Sequence, residues 1–226
     1  MSSPGGPLVI VGDSLFAEIA HEYFEVDSDY EVVAFSVEEA YLTRDTFRGL
    51  PVVPFERLHN EFDPASCSVF AAITYAQLNR LRTRLADDAA ARGFRLASYV
   101  SSRAFVWRNV ELGEHTFVFE DNTLQPFVSV GRNCVLWSGN HVGHHSTIGD
   151  NVFIASQAVI SGSVTIGDNS FIGVNTTLVN DISIGRDTWL GPSVVITRDV
   201  EDGTVWRPPR SERRDKSSHE LFGVEP

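Results

Sequence analysis

Aliphatic side chains recur at every sixth residue through the second half of the chain. From Asn109, fifteen consecutive blocks of six residues each carry Leu, Val or Ile at the fourth place. Eight blocks have Gly at the fifth place, and most have a small or β-branched residue at the second. Two earlier blocks, which begin at Ala97 and Arg103, keep the pattern. A period of six fits neither an α-helix nor a lone strand. It predicts a parallel β-solenoid whose second and fourth residues point inward and whose glycines relieve the turns.

The first part of the chain has a different pattern, in which short apolar runs alternate with helical periodicity. Apolar runs predict strands at residues 8–11, 31–35, 51–54 and 68–73. Apolar residues at helical spacing predict helices over residues 16–24 and 75–92. Alternating strands and helices indicate parallel βαβ units, that is, a small Rossmann-like α/β domain.

The two patterns divide the chain into an α/β domain (residues 1–96), a β-solenoid (residues 97–206) and a charged C-terminal extension (residues 207–226). Ligands bind a parallel sheet beyond the carboxyl ends of its strands, which makes Gly12, Asp13 and Ser14 candidate substrate contacts. The dinucleotide fingerprint is incomplete there, and Asp13 would repel a phosphate, so a full NAD site is not expected. A nucleotide head group held by backbone amides and a purely structural domain remain the alternatives.

Charge and cysteine content narrow the classes of function. The 30 Asp and Glu residues exceed the 18 Lys and Arg residues, for a net charge of -12, which argues against a nucleic-acid partner. Lys216 is the single lysine, so a Schiff-base mechanism has almost no candidate. Cys67 and Cys134 form no metal or redox spacing. With no long apolar run and no signal-peptide pattern, we expect a soluble cytoplasmic protein without a membrane span.

The repeat resembles the left-handed β-helix of the hexapeptide acyltransferases, in which three blocks form one triangular coil. The order of a βαβ domain followed by this repeat resembles a narrower group, the NeuD-like sugar O- and N-acetyltransferases. The resemblance covers residues 8–206 and implies a left-handed parallel β-helix. It also implies a homotrimer with parallel prisms, acetyl-CoA bound to the β-helix, and a nucleotide-linked sugar bound to the N-terminal domain.

At three blocks per coil, the outward third places form columns with a period of 18 residues. One column is largely aromatic and contains Phe117, Val135, Phe153, Phe171 and Trp189. An aromatic column should not face water, so it is interpreted as a subunit interface. The alternative is that the N-terminal domain or the C-terminal extension covers it.

Three histidines lie within five residues, at His141, His144 and His145, next to Asn140. Imidazole suits proton removal from an attacking amine or hydroxyl near neutral pH. By resemblance, the catalytic base lies five residues before the Gly of the following Ile-Gly pair, which is His144. His145 takes the place of an orienting partner that is often acidic in the family. His141 is a second candidate for base or substrate contact, and a purely structural cluster remains open.

Zinc binding is the rival interpretation of these histidines, because γ-class carbonic anhydrases use a similar helix with three histidine ligands. Here His141 and His145 have three residues between them, and His115 lies 26 residues before His141, which is not a multiple of 18. The spacing therefore favours no metal site.

The resemblance also implies contacts with acetyl-CoA through small residues on later coils. The matching residues are Ser161, Gly162, Gly173, Val174 and Gly191. Arg198 is a candidate contact for a CoA phosphate, and a solvated charge is its alternative. Gly162 stands at the sixth place of its block instead of the usual fifth, and a routine turn glycine is the alternative there.

The sequence therefore predicts an acetyl-CoA-dependent acyltransferase that acetylates an amino group or hydroxyl of a nucleotide-linked sugar. We expect direct transfer with no acyl-enzyme, because no Cys or Ser has nucleophile spacing beside a base. Two alternatives remain: transfer to a small hydroxyl acceptor without a nucleotide, and a non-catalytic β-helix scaffold.

Overall fold

The computed structural model describes residues 5–225, and one six-stranded sheet forms the centre of the N-terminal domain. Its strands are β1 (Gly6–Val11), β2 (Tyr30–Val37), β3 (Thr46–Phe47), β4 (Leu50–Pro54), β5 (Ser68–Ala71) and β6 (Arg95–Leu96). Their order is β3-β4-β2-β1-β5-β6, and every pair is parallel except the β3–β4 hairpin. The sheet therefore has the Rossmann-like topology that the alternating pattern predicts.

Two predicted helices pack on this sheet. Within residues 5–225 the helices are α1 (Leu15–Val26), α2 (Leu58–Glu61), α3 (Arg80–Ala91) and α4 (Ser218–Phe222), with 3-10 turns at Glu39–Tyr41 and Phe55–Arg57, and it is α1 and α3 that contact the sheet. Helix α3 begins five residues later than the sequence predicts. Gln77, Leu78 and Asn79 all have positive φ angles of 51–68°, and this left-handed turn cannot continue into an α-helix.

Residues from Tyr99 onward wind into a three-sided parallel β-helix of two-residue strands. The aromatic sheet comprises β7 (Tyr99–Val100), β10 (Phe117–Val118), β13 (Val135–Leu136), β16 (Phe153–Ile154), β19 (Phe171–Ile172), β22 (Trp189–Leu190) and β24 (Val205–Trp206). The histidine sheet comprises β8 (Phe105–Val106), β11 (Thr123–Leu124), β14 (His141–Val142), β17 (Val159–Ile160), β20 (Thr177–Leu178) and β23 (Val195–Ile196). The polar sheet comprises β9 (Glu111–Leu112), β12 (Ser129–Val130), β15 (Thr147–Ile148), β18 (Thr165–Ile166) and β21 (Ser183–Ile184).

From β7 to β23 each strand pairs with the strand 18 residues away, as His141 does with Val159, whereas β22 pairs with β24 at a spacing of 16 residues. The fourth-place aliphatic residues from Val118 to Ile196 are buried, and together they form the core of the prism. The inward orientation that the six-residue period predicts is therefore confirmed. Burial of the second-place residues, among them Asn140, Ser146 and Thr176, is confirmed as well.

The residues whose backbone conformation allows the turns stand at the first place of the blocks, and not at the fifth place that the sequence predicts. The first residue of each block from His115 to Ser193 has a positive φ, as at Asn133 (54°), His145 (59°) and Asp181 (59°), and most of these residues are Asn, Asp, Ser or His. The fifth-place glycines have ordinary φ angles. A Cβ at Gly143 would lie 2.5 Å from the carbonyl carbon of Ser161 on the next coil. These glycines are therefore required by the close approach of consecutive coils.

The aromatic column is covered by the N-terminal domain, so its interpretation as a subunit interface is wrong. Phe117, Val135, Phe153 and Phe171 are buried within the single chain. Phe16 and Phe24 of α1 pack edge-to-face on Phe117, with ring centroids 5.9 and 5.6 Å apart. Exposing these aromatic side chains to water would be unfavourable, and the apolar face of α1 in the same chain covers them.

A buried polar network also joins the two domains. The Arg82 guanidinium of α3 is fully buried and donates to Asn133 Oδ1 (3.2 Å), Asn133 O (3.1 Å) and Thr74 O (2.7 Å). Burial lowers the pKa of Arg82 to about 10, so it stays charged at neutral pH. His115 donates from Nδ1 to Asn133 Oδ1 (2.7 Å), and its Nε2 accepts from Ala71 N–H (2.9 Å). The domains are thus joined by oriented polar contacts as well as by apolar packing.

The last coil is closed by Trp206, which packs against the core of the prism. The Arg198 guanidinium lies over its ring, 5.8 Å from the centroid. Most of residues 207–225 are exposed, and they include α4, which begins with a capping box between Ser217 and Glu220. None of the helices in residues 5–225 is long and apolar enough to cross a bilayer.

Candidate functional site

His144 lies on the edge of the prism that follows the histidine sheet. This edge, called here the His144 edge, consists of the sixth-place residues Pro126, His144, Gly162, Asn180 and Arg198 on successive coils. The backbone of His144 is fixed from both neighbouring coils, because its N–H donates to Gln125 Oε1 (2.9 Å) and its carbonyl accepts from Ser163 N–H (2.8 Å). The imidazole itself is exposed. A fixed backbone with an exposed ring suits a group that must meet a substrate.

His145 contacts His144 directly. The two Nδ1 atoms are 3.1 Å apart, and the rings meet edge-to-face. On its other side the His145 ring stacks on Phe127, with centroids 4.7 Å apart and an interplanar angle of 27°. The structure therefore brings together two of the predicted catalytic residues, and it adds an aromatic ring to them.

Gly162 lies against the His144 ring. A Cβ at residue 162 would be 2.6 Å from Cε1 and 2.8 Å from Nε2 of His144. Any side chain at this position would displace the imidazole. The N–H of Gly162 donates no hydrogen bond within residues 5–225, and it is thus a free donor on the His144 edge.

Asn140 and His141 lie apart from this pair. The Asn140 side chain is buried inside the coil, where it donates to Trp137 O and accepts from Ala158 N–H. It closes a turn and does not reach the surface, so its place among the catalytic candidates does not fit its position. His141 points outward from the histidine sheet between Thr123 and Val159, and no contact between it and the His144–His145 pair is found in residues 5–225.

The candidate cofactor contacts fall on two edges. Ser161 and Gly162 lie one coil beyond His144, and Arg198 lies on the same edge three coils away, about 14 Å along the prism axis. Gly173, Val174 and Gly191 lie on the other edge that bounds the histidine sheet. Within one chain the exposed face of that sheet separates the two groups.

A cavity of about 360 Å³ opens at the carboxyl ends of β1 and β2. It is lined by Gly12, Asp13 and Ser14, so the structure brings these three predicted residues together. Asp13 pairs with Arg44 at 3.2 Å, which offsets the negative charge that would repel a phosphate. Ser14 precedes α1 and its side chain makes no capping hydrogen bond, which leaves the first N–H groups of the helix open to a ligand.

Neither cysteine is available as a nucleophile. Both are buried and free, and burial raises the pKa of Cys67 to about 11 and of Cys134 to about 12. In residues 5–225 no group of three or more His, Cys, Asp or Glu side chains is placed to hold a metal ion.

Comparisons with known proteins agree with this architecture. The family model "Bacterial transferase hexapeptide (six repeats)" matches residues 145–180, and "Hexapeptide repeat of succinyl-transferase" matches residues 163–198. A mutant of perosamine N-acetyltransferase from Caulobacter crescentus, solved with CoA and GDP-perosamine, superposes with a TM-score of 0.78 at 26% identity. The match covers 90% of this chain and 93% of that chain. Residues 145–198 thus carry the hexapeptide repeat of bacterial transferases, and the chain has the two-part fold of a sugar N-acetyltransferase.

Two further solved structures share the complete two-part fold of this acyltransferase. The acetyltransferase domain of PglB from Neisseria gonorrhoeae FA1090 has a TM-score of 0.80 at 24% identity, covering 88% of this chain and 95% of that chain. WeeI from Acinetobacter baumannii AYE has a TM-score of 0.75 at 21% identity, covering 88% of this chain and 95% of that chain. A search of curated protein sequences finds no significant match.

The structure adds to this candidate site two residues that were not predicted from the sequence. Gln125 holds the His144 backbone from the preceding coil, and Phe127 stacks on His145. The signal for Phe127 is present in the sequence, since it is a phenylalanine at the first place of a block, where most other blocks carry Asn, Asp, Ser or His. The signal for Gln125 is weaker, because a fifth-place residue other than Gly has many structural explanations.

Proposed function

We propose that this chain transfers the acetyl group of acetyl-CoA to an amino group of a nucleotide-linked sugar, with His144 as the general base. The observation that carries the proposal is the exposed His144 ring, held between Gly162 and His145 in a fold shared with perosamine N-acetyltransferase. The structure of that relative contains CoA, the product that acetyl-CoA leaves after transfer, and GDP-perosamine, a nucleotide-linked amino sugar. A hydroxyl acceptor would use the same base.

In the proposed reaction His144 removes a proton from the acceptor nitrogen as that nitrogen attacks the thioester carbonyl carbon. The carbonyl becomes a tetrahedral oxyanion, for which the free N–H of Gly162 is our candidate donor. Collapse of the intermediate breaks the C–S bond, and the CoA thiolate takes the proton from His144. No acyl-enzyme forms, because both cysteines are buried and protonated.

The cavity beside Gly12, Asp13 and Ser14 is our proposed site for the nucleotide. Open N–H groups at the start of α1 suit a phosphate, and the Asp13–Arg44 ion pair provides a positive side chain beside them. This arrangement supports the nucleotide-binding alternative over the purely structural one. It also explains why an incomplete glycine fingerprint does not preclude a phosphate ligand.

We also propose that the enzyme is a homotrimer that binds acetyl-CoA between subunits. The histidine sheet leaves Phe105, Val159 and Val195 exposed, the last at 65%, and this face separates the two groups of candidate cofactor contacts. Packing a second copy of the chain on this face would cover the apolar residues and bring a His144 edge opposite the edge with Gly173 and Gly191. Val195→Glu should yield a monomer in light scattering, whereas Thr165→Glu on the polar sheet should not.

A CoA-release assay with acetyl-CoA and a panel of nucleotide-linked amino sugars tests the proposed reaction, with GDP-perosamine as the first member. We expect CoA release with at least one amino sugar. Release only with small hydroxyl acceptors, assayed in parallel, would support the alternative acyltransferase, and failure of acetyl-CoA to bind in calorimetry would support the scaffold. We place the reaction in the cytoplasm, where acetyl-CoA and nucleotide sugars are made.

A further inference from the structure

We propose that Phe127 and His145 form a positioning stack that fixes the tautomer and orientation of His144. The inference rests on the proposed function of His144 as the base. It assigns a role to a residue pair that contains no carboxylate, and it adds a residue, Phe127, from the preceding coil.

Phe127 lies where a phenylalanine is unfavourable on two counts. Its φ is 65°, in the left-handed region that bulky side chains avoid, and the other non-Gly first-place residues are all polar and mostly Asn, Asp or Ser. Its side chain is also 59% exposed, so core burial does not offset this cost. The stack on His145, at 4.7 Å, is the one ring contact that Phe127 makes within residues 5–225.

The contact between the two histidines requires a defined arrangement of protons. At 3.1 Å, one Nδ1 must donate to the other, because two unprotonated or two protonated nitrogens would repel each other. When His144 Nδ1–H donates to His145 Nδ1, the Nε2 of His144 keeps its lone pair. Of the two ring nitrogens Nε2 lies nearer to Gly162, 2.8 Å from the place of a Cβ against 3.1 Å for Nδ1, so this tautomer places the base next to the proposed oxyanion donor.

The remaining contacts leave the His145 ring little freedom. Phe127 covers one face of it, and the backbone of His145 is held because its amide N–H donates to Pro126 O (3.1 Å), the residue before Phe127. Phe127 is tied to the coil before it, since its N–H donates to Asn109 Oδ1 (3.2 Å). Three coils thus contribute to the orientation of one imidazole, and the His145 ring takes the part of the orienting partner.

Two variants of His145 separate the acceptor role from general packing. In His145→Asn the side-chain oxygen can occupy the place of Nδ1 and accept from His144, whereas in His145→Leu a methyl group stands there. We expect His145→Leu to lower kcat at least tenfold with the KM for acetyl-CoA unchanged, and His145→Asn to lower kcat about threefold. The assay uses acetyl-CoA and the most active acceptor of the panel.

Phe127→Asn tests the stack without threatening the fold, because Asn is favoured in the left-handed conformation of this position. We expect an unchanged or higher Tm together with a three- to tenfold lower kcat. Asp187→Asn is the matched control, since Asp187 has a φ of 58° at the same place of another block, on the edge between the polar and aromatic sheets. It should leave kcat unchanged.

Long-range ¹H–¹⁵N NMR of the unliganded protein reads the tautomer without any substrate. We expect a protonated Nδ1 and an unprotonated Nε2 for His144, and a mixture of tautomers in His145→Leu and Phe127→Asn. The inference is overturned if both variants keep the wild-type kcat, or if the His144 spectrum is unchanged in them. An inactive His144→Ala beside a fully active His145→Leu would refute the stack alone, whereas a fully active His144→Ala would refute the proposed base.

Discussion

The imidazole of His144 occupies the space that a side chain at residue 162 would fill. Because Gly162 has no Cβ, Cε1 and Nε2 of His144 can lie within 2.6 and 2.8 Å of the place where that atom would be. The two residues are 18 positions apart, which is one coil, so the repeat itself sets them side by side. The glycine therefore serves the orientation of the base.

Gly162→Ala should impair activity while leaving the fold intact. Its Cβ would collide with an exposed side chain that can rotate away, so we expect kcat to fall at least tenfold with little change in Tm. Gly143→Ala is the contrasting variant, because its Cβ would lie 2.5 Å from the backbone of Ser161 and the coil would have to deform. Thermal unfolding and steady-state kinetics distinguish the two, and an equal loss of Tm in both would contradict this account.

His144→Ala should remove general-base catalysis. Loss of a positioned base lowers turnover roughly 10²- to 10⁴-fold, and truncation of an exposed ring should change stability little. Steady-state kinetics with the active acceptor measures the first effect, and thermal unfolding measures the second. His141→Ala is the control on the sheet face, and a larger loss there would make His141 the base.

Arg82→Met should weaken the junction between the two domains. The substitution removes donors from Thr74 O, Asn133 O and Asn133 Oδ1, and buried acceptors left without partners cost on the order of 3 kcal/mol in unfolding free energy. Arg84→Met is the control on the same helix, because its pair with Glu38 is exposed and should cost less than about 1 kcal/mol. Urea unfolding measures both, and similar losses would refute a special role for Arg82.

His115 should make the stability of the protein depend on acid pH. Burial lowers its pKa to about 3, whereas an unfolded histidine titrates near pH 6.5. Between these two pKa values His115 is protonated in the unfolded chain and unprotonated in the folded chain. Stability should be fully present above about pH 6.5 and should fall by about 1.4 kcal/mol per pH unit below it, down to about pH 3. Urea unfolding across this range should show a shallower slope for His115→Gln, and an identical slope would contradict the assignment.

The sequence by itself determined the repeat and the chemistry placed on it. A six-residue period with aliphatic fourth places, as at Val142 and Ile160, permits one kind of core, because each side chain stacks on its equivalent one coil away. Periodicity also placed His144 one coil from Gly162. The local pattern was enough to predict the core and the proximity of these two residues, because contacts between coils repeat at a fixed separation in the sequence.

Only the tertiary structure decided what covers each face and where the side chains point. The aromatic column reads as an interface from the sequence, yet α1 packs on Phe117 within the same chain, since no local pattern records which domain docks on which sheet. The fifth-place glycines read as turn residues, yet they are needed where backbones of successive coils approach. Asn140 reads as a site residue beside the histidines, yet its side chain turns inward to satisfy buried backbone groups. Each of these depends on contacts between distant segments, which the order of residues does not state.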